Sequence, residues 1–349
     1  MSSAPLRVGV AGLGLAARLV VESLLEDPRV ELVAGADPDP ASREWFVEAT
    51  GGLVHESVEA LCAAGADVVW VATPTRLHRQ HVLLAVAAGA DVVVEKPMAV
   101  SVADCDAMVA AAAAAGVLLL AGGVRSLDPA FRAMRAVVNS GRIGELRTVQ
   151  SASFTAWLAR PRSAADLDEA LGGGLLFNQA PHQLDVVRTL AGGARVTSVR
   201  ARAGAWSRTR PGIGYYTADV ELEGGVFASL TYDGYGRIDP SVDRVHEPCE
   251  RCATQRPWVP TDAGVVVAVC GEGEVRQVAH GLEVSTAEGR TLVDVPDGDA
   301  NTVAVDQLLA ARAGVPLEQS GRWGRETQAA VVALVESTRR GRRVQLNHM

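Results

Sequence analysis

The sequence predicts an α/β fold in two parts: an N-terminal Rossmann domain with a doubly wound parallel sheet over residues 1–123, then a C-terminal α+β domain with a large, mostly antiparallel open sheet over residues 124–349. Three observations predict it. A glycine-rich turn interrupts the first apolar run and leads directly into a helical pattern. Apolar runs then alternate with helical stretches as far as Gly123, the pattern of right-handed βαβ crossovers. Beyond Gly123 the rhythm changes to alternating strands, and a chain of 349 residues suits two domains of roughly 100–200 residues each.

The elements follow in order. Leu6–Ala11 is a short buried strand, and helical periodicity runs over Ala16–Leu25. Leu32–Ala36, Val68–Ala72 and Val92–Glu95 are the next strands, with helices over Pro40–Thr50, Ser57–Ala63 and Leu77–Ala88 between them. The helix Val102–Ala115 and the strand Val117–Ala121 complete the first domain. The second opens with a helix over Pro129–Ser140 and a turn over Gly141–Glu145. Its strands are Leu146–Phe154, Val196–Ala203, Thr217–Leu222, Val226–Tyr232, Gly264–Cys270 and Glu274–Val278, with a helix over Leu175–Leu190 between the first two. Gly236–Asp262 is rich in proline, bears cysteine and has no periodicity, so it reads as a long loop able to cover a site. A helix over Arg325–Thr338 ends in the basic turn Arg339–Arg343, which suits the negative end of a helix dipole.

Composition narrows the function classes. A net charge of -8 with scattered arginines gives no basic field for a nucleic-acid backbone, so no nucleic-acid partner is expected. The N-terminal residues lack the pattern of a secretory leader, and no apolar run reaches the ~20 residues of a membrane span. Five cysteines suit a reducing compartment, and the expected location is the cytoplasm, away from any membrane. Cys249 and Cys252 form a lone CxxC; with no second pair beside it, thiols in a loop are the plainer reading, and no metal is expected.

Gly12, Gly14 and Ala17 spell G-x-G-x-x-A between a strand and a helix. The first glycine permits the tight turn, the second lets the backbone approach a pyrophosphate, and the small third residue lets the helix pack closely. Leu15 and Ala16 then open a helix whose positive end faces the phosphates. The second strand runs out at Asp37, where an acid accepts from the adenosine ribose 2′-hydroxyl and repels a 2′-phosphate. The expected cofactor is NAD rather than NADP, the nearest arginine being Arg43 on the next helix; the alternative for Asp37 is a turn acid before Pro38.

Of 33 basic residues, 32 are arginine and one is lysine, Lys96. A solvated charge is arginine everywhere else in this chain, so the lone lysine points to work a guanidinium cannot do. An ammonium loses its proton when desolvated or set beside another cation, whereas arginine stays charged. Lys96 also follows the fourth strand at the carboxyl edge of the sheet, where doubly wound folds bind ligands. A chance survivor is the alternative.

Gly12 to Ala17, then Ala72-Thr-Pro-Thr75 with His78, then Glu95-Lys-Pro97 resemble the Gfo/Idh/MocA oxidoreductases. In the second domain Gly172-Gly-Gly174 followed by Asn178, His182 and Asp185 is similar to that family's glycines, D-x-x-x-H and H-x-x-D. The turn Ser140 to Glu145 and the closing helix with Val344–Leu346 are similar too. The resemblance implies that Thr73, Pro74, His78, Glu95, Lys96 and Pro97 serve cofactor binding, that Lys96 and His182 move protons, and that Asp185 orients the histidine or the substrate. Asn178 departs from the family's aspartate: an amide donates and accepts hydrogen bonds but takes no proton at neutral pH. Without the resemblance, a core histidine satisfied by a helix neighbour is the preferred reading of His182.

The resemblance is nearest the phthalate dihydrodiol dehydrogenase branch, among enzymes of secondary metabolism. It implies a small-molecule substrate bound by Arg125, Trp157, Arg160, Arg162, Asn178, His182 and Tyr235. Arginine forks suit carboxylates and phosphates, hence an anionic dihydrodiol or nucleotide sugar, although a solvated basic loop reads the same way. Tyr232 and Tyr235 stack on a ring or simply pack. The reactions implied are oxidation of a ring alcohol on a sugar, nucleotide sugar, cyclitol or cis-dihydrodiol, reduction of a ketone or imine, or NAD sensing without turnover. A homodimer or homotetramer is the expected assembly.

Overall fold

The computed structural model describes residues 4–123, 125–159, 167–209, 212–235, 264–278 and 281–346. Arg160, Arg162, Cys249, Cys252 and the segment 236–262 lie outside the described residues. The chain divides into two compact units, one of residues 1–127 with 298–328, the other of residues 128–297 with 329–349.

In the first unit, β1 (Leu6–Ala11), β2 (Val30–Ala36), β3 (Leu53–His55), β4 (Val68–Val71), β5 (Asp91–Val94) and β6 (Leu119–Ala121) form a parallel sheet ordered β3-β2-β1-β4-β5-β6. Helices α1 (Leu15–Leu25), α2 (Pro40–Thr50), α3 (Val58–Ala63), α4 (His78–Ala87) and α5 (Val102–Ala115) make the crossovers. Strands buried on both faces read as unbroken apolar runs, and β4 and β5 are buried throughout. Caps set the helix starts: the Asp39, Ser57 and Ser101 side chains accept from Ser42, Ala60 and Asp104 N–H respectively. Strand order reverses between β1 and β4, the switch point at which such sheets bind ligands. The three-residue β3 is too short for a periodic signal and is absent from the sequence reading.

The sequence reading cuts the chain once, after residue 123, whereas the chain returns to the first unit after the second sheet. Helix α8 (Ala300–Arg312) buries Ala304, Val305 and Leu308 in the same core as Val8, Val21 and Trp70. Arg312 Nε donates to Asp91 Oδ2 at 2.8 Å, Arg29 to Asp306 Oδ1 at 2.6 Å, and Ser23 to Asp299 Oδ1 at 2.7 Å. These long-range pairs hold α8, which its Ala-rich, weakly patterned sequence does not announce.

In the second unit nine strands run β14-β13-β12-β11-β7-β10-β9-β8-β15. They are β7 (Leu146–Phe154), β8 (Val196–Gly204), β9 (Tyr215–Leu222), β10 (Phe227–Asp233), β11 (Val265–Cys270), β12 (Gly273–Val278), β13 (Gly281–Thr286), β14 (Gly289–Val293) and β15 (Val344–Gln345). All described pairings are antiparallel except β7 with β10. Alternation divides the faces. Val149, Leu230, Val266 and Val275 point into a core covered by α6 (Pro129–Asn139), α7 (Gly174–Leu190) and the later turns of α9 (Gly321–Arg340). Val265, Val267 and Val269 face the other way, half-buried, and Phe227 is exposed there. The hairpin β13–β14 is missing from the sequence reading, its strands being short and glycine-led. Helix α9 begins at Gly321, one turn before the expected Arg325. No helix among the described residues is long and apolar enough to cross a membrane.

Candidate active site

On the first unit the glycine turn sits at the carboxyl end of β1. Gly12 has φ +83°, and a Cβ there would stand 2.8 Å from the Thr73 backbone, so only glycine admits this approach of the turn to the loop after β4. A Cβ at Gly14 would meet nothing within 4 Å: the space over this residue is open. Gly14 caps α1 without a side-chain hydrogen bond, leaving the first-turn N–H groups of α1 to an external acceptor. Leu15 and Ala16 follow as exposed residues, and Ala17 is buried in the core. This cradle fits a dinucleotide pyrophosphate.

Asp37 joins the turn to the end of β2. Its Oδ2 accepts from Leu13 N–H at 2.8 Å and its Oδ1 from Asp39 N–H at 2.9 Å. A carboxylate offers about four lone-pair sites, so acceptors remain for a ribose hydroxyl. Arg43 donates through Nη1 to the carbonyls of Asp37 at 2.8 Å and Pro38 at 2.9 Å, which anchors a guanidinium behind the acid.

The loops after β4 and β5 are tied together by His78. This buried ring places Nε2 2.6 Å from the Thr73 carbonyl and Nδ1 3.1 Å and 3.3 Å from those of Pro97 and Met98. Burial pushes its pKa down, against the pull of those carbonyls. One turn on, His81 Nδ1 shares a 2.9 Å hydrogen bond with Thr73 Oγ1, and burial lowers its pKa too. His78 thus meets backbone rather than open space, and what it positions is the loops after β4 and β5.

Lys96 stands two residues after the end of β5, in a cis peptide with Pro97. Its neighbour Glu95 is buried and accepts from Trp70 Nε1 at 3.1 Å. Burial raises the Glu95 pKa, with the Trp70 donor and the Lys96 charge acting in the opposite sense. Arg125, on the single turn Arg125–Leu127, is half-buried at the end of this unit's first segment.

On the second unit, α7 is buried along nearly its whole length and carries His182, Asp185 and Asn178. His182 and Asp185 are buried one turn apart, and Asn178 is half-buried one turn before His182. Asn178 Oδ1 accepts from Trp157 Nε1 at 3.3 Å and from Gln179 Nε2 at 2.6 Å. Beneath them Gln183 donates to Ser151 Oγ at 2.9 Å and accepts from the Tyr216 hydroxyl. Tyr232 is a packing residue: it stacks on Tyr216 at 5.8 Å and 10°, and its hydroxyl meets Thr155 Oγ1 at 2.7 Å. Tyr235 lies half-buried at the strand edge instead.

The sequence reading passed over Trp70, His81 and Gln179. Two signals stand in the sequence: a tryptophan within an otherwise all-valine strand, and a second histidine three residues after His78, on the same helix face.

Residues 6–122 match the family described as GFO_IDH_MocA, oxidoreductase family, NAD-binding Rossmann fold, and residues 131–240 match the GFO/IDH/MocA C-terminal domain. The chain is 43% identical over 236 residues to 1-carboxy-3-chloro-3,4-dihydroxycyclohexa-1,5-diene dehydrogenase of Comamonas testosteroni, covering 67% of this chain and 59% of that protein. It is 37% identical over 175 residues to trans-1,2-dihydrobenzene-1,2-diol dehydrogenase of Mus musculus, covering 49% and 52%. The chain thus spans little more than half the length of these curated relatives. The crystal structure of a protein from Bordetella bronchiseptica RB50 assigned as a dehydrogenase superposes with a TM-score of 0.88 at 30% identity, covering 98% of this chain and all of that one.

Proposed function

Because the chain belongs to the Gfo/Idh/MocA oxidoreductase family and carries its NAD-binding Rossmann domain, we propose that it exchanges hydride between NAD and a ring secondary alcohol of a carboxylated cis-dihydrodiol. The observation that carries this is the setting of Lys96. The only lysine of the chain leaves the carboxyl edge of the sheet on a turn that His78 locks to the Thr73 loop. The dihydrodiol class is supported by the two curated relatives, one named for a carboxylated dihydroxycyclohexadiene and the other for a trans-dihydrobenzenediol.

NAD, when bound, supplies the hydride acceptor. The chain does the rest. Gly14 and the first turn of α1 hold the pyrophosphate, and Asp37 accepts from the ribose 2′-hydroxyl and disfavours a 2′-phosphate. Lys96, as the neutral amine, accepts the hydrogen bond of the reacting hydroxyl and takes its proton as the carbon gives up hydride. On the second unit His182 serves as acid or base and buried Asp185 orients it, while Asn178 fixes substrate through its amide without taking a proton. The open face of the nine-stranded sheet, where Val265, Val267, Val269 and exposed Phe227 stand among polar neighbours such as Gln150 and Arg276, pairs with a second copy of the chain.

The test is reduced-nicotinamide absorbance with NAD and a panel of dihydrodiols, inositols, sugars and nucleotide sugars. Turnover of a carboxylated dihydrodiol, lost in Lys96→Ala with NAD affinity nearly unchanged, is the expected result. Near-normal kcat in that variant removes Lys96 from the mechanism, and turnover confined to another class removes the dihydrodiol.

A further inference from the structure

We propose that the indole of Trp206 is a stacking platform for a flat, unsaturated ring of the substrate. Strand β8 ends at Gly204, opposite Tyr215 of β9; Tyr215 pairs with Asp233 of β10, and Asp233 with Phe154 of β7. Four strand ends therefore share one edge of the sheet. Trp157, which donates to Asn178, follows β7 at that edge, and the next residue, Leu158, donates its N–H to the Gly234 carbonyl at 2.9 Å. Among the described candidate substrate residues, Trp157 with its acceptor Asn178, and Tyr235, lie along the same rim as Trp206.

Three contacts fix the Trp206 ring. It stacks on Tyr235 with centroids 5.8 Å apart and planes at 16°, and it tilts against Tyr215 at 4.9 Å and 33°. Its backbone N–H donates to the Tyr235 hydroxyl at 2.6 Å. The backbone leaves room for the cluster: a Cβ at Gly204 would stand 2.6 Å from the indole, and one at Gly214 the same distance from the Tyr235 ring.

Despite these constraints Trp206 is 65% exposed. A tryptophan that serves packing buries most of its large apolar surface. An indole held in one orientation by aromatic neighbours, yet left in water, is preorganised for a ring that arrives from solution. Offset stacking selects a flat unsaturated ring over a puckered saturated one. The ring is the substrate's own diene or the base of a nucleotide handle, and assigning it to substrate rests on the dehydrogenase reading above.

Calorimetric titration of the full chain, wild type, Trp206→Ala and Trp206→Phe, tests this with benzoate, cyclohexanecarboxylate, uridine monophosphate and NAD as probes. Benzoate is expected to bind more tightly than its saturated counterpart. Trp206→Ala should weaken benzoate about threefold to tenfold and erase that preference, Trp206→Phe should retain most of it, and NAD should bind all three proteins alike. Loss confined to uridine monophosphate assigns the ring to a nucleotide handle. Equal ring binding by wild type and Trp206→Ala, or no ring binding by wild type, overturns the platform. Binding is read without turnover, so a silent absorbance panel sinks the dehydrogenase reading and leaves this measurement standing.

Discussion

The indole N–H of Trp70 in β4 donates to Oε1 of Glu95 just beyond β5, so the residue next to the lone lysine is held by a hydrogen bond across two parallel strands. Burial holds the Glu95 proton more tightly in the folded protein than in the unfolded chain. The stability carried by that proton is fully present below the ordinary glutamate range and is lost as pH rises through the raised value. Glu95→Gln keeps an acceptor for Trp70 and removes the ionisation. Its denaturation midpoint relative to wild type should therefore climb as pH rises above the ordinary glutamate range. A difference that is flat with pH would mean that this carboxyl is not held protonated by burial.

His78 gives the opposite slope. Its pKa is lowered, so the folded state resists a proton that the unfolded chain accepts. The stability it contributes is present above the ordinary histidine range and is lost as pH falls through the lowered value. Acidification should lower stability through this group, and His78→Ala should weaken NAD by about tenfold by removing the ring that meets the Thr73 carbonyl, a loss of about 1–3 kcal/mol. Calorimetry showing unchanged NAD affinity would detach the loop clasp from the cofactor.

At the adenosine end, Asp37→Asn keeps an oxygen for Leu13 N–H while removing the charge, and Arg43 stays anchored on the neighbouring carbonyls. The NADP-to-NAD ratio of kcat/KM should rise at least about tenfold, the worth of one charge-assisted hydrogen bond. If the ratio does not move, the 2′ position is read by another group.

The open sheet face predicts an assembly. Val267→Arg puts a charge among the half-buried valines of β11 without entering the core on the opposite face. Light scattering should show a dimer or larger for wild type and a smaller species for this variant, since a second like charge beside Arg276 and the bulk of the arginine oppose close pairing of two copies. A monomeric wild type would leave the open face without a second copy.

Much of the fold was legible because local rules and global packing agree. The capping serines 57 and 101, the Asp39-Pro40 helix start and the unbroken apolar strands at Val68 and Val92 each state their element within a few residues. Where agreement is lost, so is legibility: β3 and β14 are held by neighbouring strands rather than by their own pattern, and α8 by Arg312 reaching Asp91.

The sequence alone determined the chemistry on offer. A glycine turn needs Gly12 whatever packs around it, an acid at Asp37 repels phosphate, and one lysine among 33 basic residues marks itself by composition. These are properties of residue type and near spacing. Only the tertiary structure decided what holds those groups, because the partners lie far along the chain. His78 meets carbonyls 19 and 20 residues on, Trp70 meets Glu95 25 residues on, and Trp206 meets Tyr235 29 residues on. Strand order brings such pairs to one sheet edge, and no periodicity in the sequence encodes that order.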